Sequence, residues 1–255
     1  MDAAPIVAAA AGGSPPPSRR ADAGSVRLGQ RDVAGLLLCG DMYGAPYDLL
    51  ASAMSVRPDR LRGVVARWRR ARYVQTARLG PGPAWCWLTR SGLAVTGQPF
   101  TATRPALGRL AHIRAVLAVR LSLHDSDAWQ RGQAWWRSER RIRAAARTIT
   151  TGHLPDAEVS WPEVPGSPYA GQLWAIEAEL TPKPLARTTA IMTGLLARTA
   201  DYEPGARPGA GPRYDRVIYL VAPPARSVVD RAADGLPGLL RGRLAVRDLP
   251  EGALL

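Results

Sequence analysis

The segment QLWAIEAELTPK at residues 172–183 alternates apolar and polar side chains, which is the pattern of a β-strand. Trp174 and Ile176 fall on one face of this strand, whereas Glu177 and Glu179 fall on the other. Two carboxylates on one strand face repel each other unless a cation lies between them. The segment therefore predicts either a pair of acidic ligands or a half-exposed strand whose acidic side is solvated.

The same segment ends in Pro182, which stops a strand, followed directly by Lys183. Lys183 is the only lysine among the 34 basic residues of the chain, since every other one is arginine. Its compact ammonium group thus stands beside the densest acidic pair of the sequence.

The composition limits the class of protein and its partners. The chain has 255 residues, which suits one large domain or two smaller ones, and 46% of them are apolar. Its net charge of +13 indicates a polyanionic partner, and we expect double-stranded DNA. Cys39 and Cys86 are the only cysteines, which fits a reducing cytoplasm. No apolar run approaches the roughly 18 residues needed to cross a membrane, and residues 1–11 lack the basic start of a signal peptide.

The first part of the chain predicts an arm and a small helical domain. Residues 1–26 are rich in Ala, Gly, Pro and Ser, without periodicity, and are expected to form a disordered arm. Residues 27–98 predict three helices followed by a β-hairpin. The helices are expected at 31–39, at 47–54 and from Pro58 onward, and the hairpin strands at 73–79 and 84–88.

The third helix has two contrasting faces. Its apolar residues recur at helical spacing and form one stripe, which consists of Leu61, Val64, Val65 and Trp68. The residues that we expect to contact DNA lie on this helix or close to it and are Arg57, Arg60, Arg62, Arg67, Arg69, Arg70, Arg78 and Arg90. A helix anchored by an apolar stripe can enter a major groove with its arginines outward, while arginines near the hairpin contact flanking phosphates. The alternative is an ordinary solvated helix face.

The second part, residues 105–255, alternates helices and strands after a Pro- and Thr-containing connector that begins at Gly97. We expect helices at 105–123, 129–146, 184–198 and 226–233, and strands at 154–161, 172–180, 214–221 and 243–249. This order predicts an α/β domain around a small mixed sheet. A single histidine on the first of these helices, His112, is expected to be structural.

Short motifs in both parts resemble known families. Residues 29–93 resemble the winged helix-turn-helix domains of bacterial DNA-binding proteins, including their ending of a strand, Leu-Thr and a turn with Gly. A helix glutamate, Glu139, then Pro155-Asp156 and the acid-x-acid strand resemble the PD-(D/E)xK nuclease-like fold. The layout of residues 29–235 resembles the actinobacterial replication-relaxation family, which is associated with plasmids and integrative mobile elements.

This resemblance implies a fold and a set of site residues. The fold class would be α/β (α+β), with an N-terminal winged helix followed by a mixed-sheet domain of restriction-endonuclease-like fold. Asp156 and Glu177 would hold Mg²⁺ or Mn²⁺, with Glu179 as a further ligand or base and Glu139 as a supporting ligand. Lys183 would replace the lysine of the motif, whose usual position is occupied here by Glu179.

Two functions follow from the resemblance. In the first, the protein binds DNA of a plasmid or mobile element and cleaves or nicks it with Mg²⁺. In the second, it is a non-catalytic transcriptional regulator or replication accessory factor without a cofactor, and its C-terminal domain binds DNA or forms a homodimer. The sequence leaves both open.

Overall fold

The structure is a computed structural model that describes residues 27–145, 152–199 and 211–254. Its architecture is mixed α/β, with helices packed around a three-stranded antiparallel sheet and a five-stranded mixed sheet. The arm expected at residues 1–26 lies outside the described residues. Among the helices that the structure describes, none is long and apolar enough to cross a membrane.

The first part contains the three expected helices and the hairpin. Its elements are α1 (Gln30–Asp41), β1 (Ala45–Pro46), α2 (Tyr47–Ala53), α3 (Pro58–Arg70), β2 (Val74–Ala77), β3 (Trp85–Leu88) and α4 (Arg90–Val95). The strands are antiparallel and lie in the order β1-β3-β2. The sequence did not predict β1, because a strand of two residues leaves no alternation to detect.

Helix α3 forms and docks as the sequence predicts. Pro58 occupies its first turn, where a missing N–H costs nothing. Leu61, Val65 and Trp68 are buried against α1 and α2. Trp68 donates its indole N–H to Asp32 Oδ1 of α1 at 2.9 Å, so a polar anchor adds to the apolar contact. The opposite face of α3 is left to solvent.

The second part is built around the five-stranded sheet. Its elements are a 3-10 turn (Leu107–Arg109), α5 (Leu110–His124), α6 (Asp127–Gly132), β4 (Trp135–Ser138), α7 (Glu139–Ala145), β5 (Ala157–Ser160), β6 (Leu173–Glu179), α8 (Leu185–Leu196), β7 (Arg216–Val221), α9 (Pro223–Asp234), α10 (Gly238–Arg241) and β8 (Leu244–Asp248). The strand order is β4-β5-β6-β7-β8. Strands β4, β5 and β6 are antiparallel neighbours, whereas β6, β7 and β8 run parallel.

The prediction of one helix at residues 129–146 is wrong over the middle of this range. Helix α6 ends at Gly132, and Gln133 has a left-handed φ of 49° that turns the chain away. After Ala134, residues 135–138 form β4, with Trp136 buried and Trp135 exposed. The helix α7 that follows is short. Two adjacent tryptophans fit helical and strand periods equally well over so few residues, and the single glycine at the turn, Gly132, does not by itself mark the end of a helix.

The alternation predicted for β6 is confirmed. Trp174 and Ile176 pack on the side of α5, in a core that continues into α1, α2 and α3. Ala175 faces the opposite side, where α8 and α9 cover the sheet. Glu177 and Glu179 share the face of Ala175 and are buried, so the interpretation of a solvated acidic side is wrong.

Ion pairs and hydrogen bonds join the two parts of the chain. Arg114 of α5 donates both terminal nitrogens to Asp48 of α2, at 3.0 and 2.6 Å. Arg140 of α7 donates to the carbonyl of Gly40 and stacks over the Tyr43 ring. These contacts hold the five-stranded sheet against the helical part. The boundary that the sequence places near residue 97 stays a prediction.

Candidate functional site

Strand register brings the acidic residues together. Ala157 of β5 pairs with Ile176 of β6 in antiparallel register, so the residue before Ala157 stands opposite Glu177. That residue is Asp156, whose Oδ2 accepts a hydrogen bond from the backbone N–H of Ala178 at 2.9 Å. The sequence pattern alone does not specify this register, although it names both acids.

The acids open onto a cleft of about 510 Å³. Of the residues expected in the site, Glu139, Asp156, Glu177 and Lys183 line this cleft. Glu179 is not among its lining residues but contacts Lys183, whose Nζ lies 2.5 Å from Glu179 Oε2. The other lining side chains include Arg109, His112, Arg143 and His153.

At the rim of the cleft, Glu139 accepts hydrogen bonds from two arginines. Arg109 donates to it at 2.8 Å and Arg143 at 2.6 Å. Burial favours the neutral acid, yet the pKa of Glu139 lies below its ordinary value because both guanidinium groups stabilise the carboxylate. Glu139 is thus engaged by the chain's own cations.

Two histidines contact the inner acids. His112 Nε2 lies 2.7 Å from Asp156 Oδ1, and His153 Nε2 lies 2.9 and 3.0 Å from the two carboxylate oxygens of Glu177. Burial lowers the pKa of each histidine, but the adjacent carboxylate outweighs it, so both pKa values are raised.

The sequence places neither histidine in the site. It predicts a structural role for His112, and His153 shows no ligand spacing. The one available signal is the position of His153 three residues before Asp156, in the segment that enters β5.

Glu177 is the most perturbed acid of the cleft. Burial and the negative charge of Asp156 raise its pKa to about 7, although His153 and Lys183 act in the opposite direction. Tyr219 of β7 is its partner in the parallel register and lies on the same face. The Tyr219 hydroxyl is buried without a hydrogen-bond partner in the described chain, and burial beside these acids raises its pKa.

The donor types fit a hard divalent cation, since three carboxylates and an unpartnered hydroxyl lie in one region. However, these oxygen atoms are not directed toward one common point. Within the described residues, no group of three acids, histidines or cysteines is placed to hold a metal ion. An ion on Glu177 or Glu179 would have to displace His153 or Lys183, which now occupy the carboxylate oxygens.

The arginines expected to contact DNA lie on a different surface. Those with exposed side chains are Arg57, Arg60, Arg62, Arg69, Arg70, Arg78 and Arg90. Arg67 differs, because it is partly buried and donates to Asp32 at 2.7 Å. Arg57 contacts Asp59 at 3.3 Å, but both side chains are largely solvated, so this pair is weak.

In comparisons with known proteins, no family model matches this chain and no curated protein matches it.

Proposed function

We propose that this chain is a double-stranded DNA-binding protein and that α3 is its principal contact with the duplex. The observation that carries the proposal is the division of α3 into two faces. Leu61, Val65 and Trp68 fix one face in the core, while the arginines of the other face are solvated. Because α3 has no acid after Asp59, this face attracts phosphates rather than neutralising itself.

The order of elements supports the same proposal. Three helices, with β1 between the first two, precede a hairpin whose strands form the sheet β1-β3-β2. This order supports the resemblance to a winged helix, which would present its third helix to the major groove and its hairpin to the flanking backbone. Arg78 follows β2 in the hairpin, and Arg90 follows β3, so both stand where phosphate contacts are expected.

The experiment that tests the proposal removes charge from α3 without touching its buried stripe. Arg60→Gln and Arg62→Gln together should weaken binding to a 30-base-pair duplex. The slope of log K against log salt should become shallower by about 0.9 for each phosphate that the variant no longer neutralises. The thermal midpoint should stay unchanged, because both side chains are exposed. The matched control is Arg241→Gln with Arg247→Gln, two exposed arginines of the C-terminal region.

Equal binding by the α3 variant and the native protein would refute the assignment of α3. Equal weakening in the α3 variant and the control would mean that net charge alone governs binding.

A second candidate function is Mg²⁺-dependent cleavage or nicking of the bound DNA. It is favoured by the convergence of Asp156, Glu177 and Lys183 on one cleft. The two acids stand at positions that resemble those of the PD-(D/E)xK motif, whereas Lys183 lies beyond the end of β6. The three antiparallel strands, followed by a helical crossover to a parallel strand, also support this candidate. For Asp156, Glu177 and Glu179 to hold the ion, His153 and Lys183 would first have to leave the carboxylates that they now contact. The ion would then supply a Lewis acid for the phosphoryl oxygen and for water.

Metal titration and plasmid nicking decide between this candidate and a non-catalytic regulator or replication accessory factor of a mobile element. MgCl₂ or MnCl₂ should raise the thermal midpoint of the native protein but not of Glu177→Gln. Nicking of supercoiled plasmid should be abolished in Glu177→Gln and in Lys183→Ala. Metal binding without nicking would favour the regulator, and no response to either metal would remove the nuclease candidate.

A further inference from the structure

A second basic surface lies beside the exposed face of α3. It is an open groove of about 700 Å³ between the end of α3, the hairpin β2–β3 and the connector before α5. Its basic lining residues are Arg69, Arg72, Arg90 and Arg104, and none of its lining residues is acidic. Over the described parts of the chain, no carboxylate forms an ion pair with any of these four arginines.

Arg72 occupies a backbone position that glycine would fill at lower cost. It follows α3 with a φ of 61°, in the left-handed region that disfavours any residue with a side chain. The turn is fixed because the Arg72 N–H donates to the Arg69 carbonyl and the Tyr73 N–H donates to the Trp68 carbonyl, both at 2.9 Å. These two bonds form a Schellman cap at the end of α3, which fixes the backbone from which the Arg72 side chain extends into the groove.

The chain holds Arg72 and Arg90 in a fixed relation. Thr89 donates its hydroxyl to the Arg72 carbonyl at 2.5 Å and accepts from the Gly92 N–H at 3.1 Å. A Cβ at Gly92 would lie only 2.0 Å from the Tyr73 carbonyl oxygen, so α4 packs against this turn without any gap. The two guanidinium groups therefore project from one rigid piece of backbone.

The connector residue Arg104 is anchored through its neighbour. Pro105 is buried, and its ring packs so closely on Gly44 that a Cβ there would lie 2.8 Å from Pro105 Cγ. The groove thus has one arginine from α3, one from the turn, one from α4 and one from the connector. Four separate segments of the chain converge on it with the same charge.

We propose that this groove binds the sugar–phosphate backbone of duplex DNA next to the base pairs that α3 contacts. The inference rests on the proposed function of α3 as the duplex-contacting helix. Helix α3 is about 20 Å long, at 1.5 Å per residue, so a duplex lying along its arginine face continues past Arg69 over the groove. Guanidinium groups bind phosphate oxygens in bidentate geometry, and a concave cationic surface concentrates the field on them.

The aromatic lining of the groove favours a duplex over an unpaired strand. Trp87 is only 6% exposed, and its indole N–H donates to Gln75 at 3.2 Å. Proteins that bind single strands offer exposed aromatic rings on which bases stack. Trp87 offers almost no such surface, so the contacts left to the groove are those of arginine with phosphate.

The test uses Arg72→Gly together with Arg104→Gln in the full chain. Glycine suits the left-handed turn, so this variant should unfold at the same temperature as the native protein or higher. On a random-sequence duplex of 30 base pairs, the slope of log K against log salt should be shallower for this variant than for the native protein, by about 2. Arg241→Gln with Arg247→Gln is the control for net charge.

The possible outcomes distinguish the DNA contacts of the groove from those of α3. A native salt slope in the groove variant on the 30-base-pair duplex would overturn the groove while leaving α3 as the contact. The same change in the control variant would overturn it as well, because the effect would not be local. Absence of duplex binding by the native protein would overturn both proposals. A stronger defect on an unpaired strand than on the duplex would overturn the choice of ligand.

Discussion

The two charged regions of this protein differ in how their charges are compensated. At the five-stranded sheet, each acid already has a basic partner. Asp156 and Glu177 of the cleft and the neighbouring Glu179 each contact a histidine or lysine, and Glu139 contacts two arginines. On the surface of α3 and the adjoining groove, arginines stand almost without acids. Charge that is already paired contributes to folding, whereas charge left exposed and uniform is available to a partner. We therefore propose the arginine surface as the binding surface, whereas a ligand of the cleft would have to displace the residues that its acids now contact.

The largest expected effect is the decrease in affinity for duplex DNA as the salt concentration rises. If the exposed arginines of α3, the hairpin and the groove contact about six to ten phosphates, affinity for duplex DNA should fall about 10³–10⁵-fold between 50 and 200 mM NaCl. Fluorescence anisotropy with a labelled duplex measures this directly. A decrease of less than tenfold would mean that most of these arginines stay in solvent in the complex.

The next effect concerns the cleft and its dependence on pH. Glu177 has a pKa of about 7 in the folded protein, above its ordinary value of 4.5. The folded state thus binds the Glu177 proton more tightly than the unfolded state does. Protonation of Glu177 therefore contributes its full stability below about pH 4.5, and this contribution is lost as pH rises through about 7. The difference between the two pKa values of Glu177 corresponds to about 3 kcal/mol of folding free energy. The raised pKa values of His112 and His153 likewise make the fold more stable at low pH. Urea unfolding at pH 5 and pH 8 should show the native protein more stable at pH 5.

Glu177→Gln removes the titrating group at nearly constant volume, so it should flatten this dependence and stabilise the protein at pH 8. Glu139→Gln is a control of opposite sign, because the lowered pKa of Glu139 stabilises the fold at higher pH and this contribution disappears as pH falls. An undiminished pH dependence in Glu177→Gln would contradict the account of the cleft.

A smaller effect is expected when Arg67 is released from Asp32. Asp32 accepts from Arg67 and Trp68 and so removes one arginine from the exposed face of α3. Asp32→Ala should destabilise the fold by about 1–3 kcal/mol, because two partly buried donors lose their acceptor. It should also steepen the salt dependence of DNA binding by about 0.9, since Arg67 becomes available to a phosphate. Asp32→Asn, which keeps an acceptor, should destabilise the fold less; a DNA-binding defect in Asp32→Ala would contradict the prediction.

The sequence predicted local structure well where one period extended over several turns. The stripe of α3 and the alternation of β6 are examples, because each residue's face follows from its spacing. Strand β4 was missed because its signal is four residues long. The site is a different problem: the sequence named Asp156 and Glu177, but their approach depends on the register of β5 with β6. Contacts such as His112 with Asp156 join residues distant in sequence, and no local period encodes them.

We propose that duplex DNA covers the arginine surface of α3 and its groove and leaves other exposed arginines uncovered. Arginine-specific modification with phenylglyoxal, read by mass spectrometry with and without a 30-base-pair duplex, tests it in one experiment. Among exposed arginines, we expect protection at Arg60, Arg62, Arg72 and Arg90, and unchanged modification at Arg241. Uniform protection of all these arginines, or protection of Arg241 without those of α3, would contradict the account.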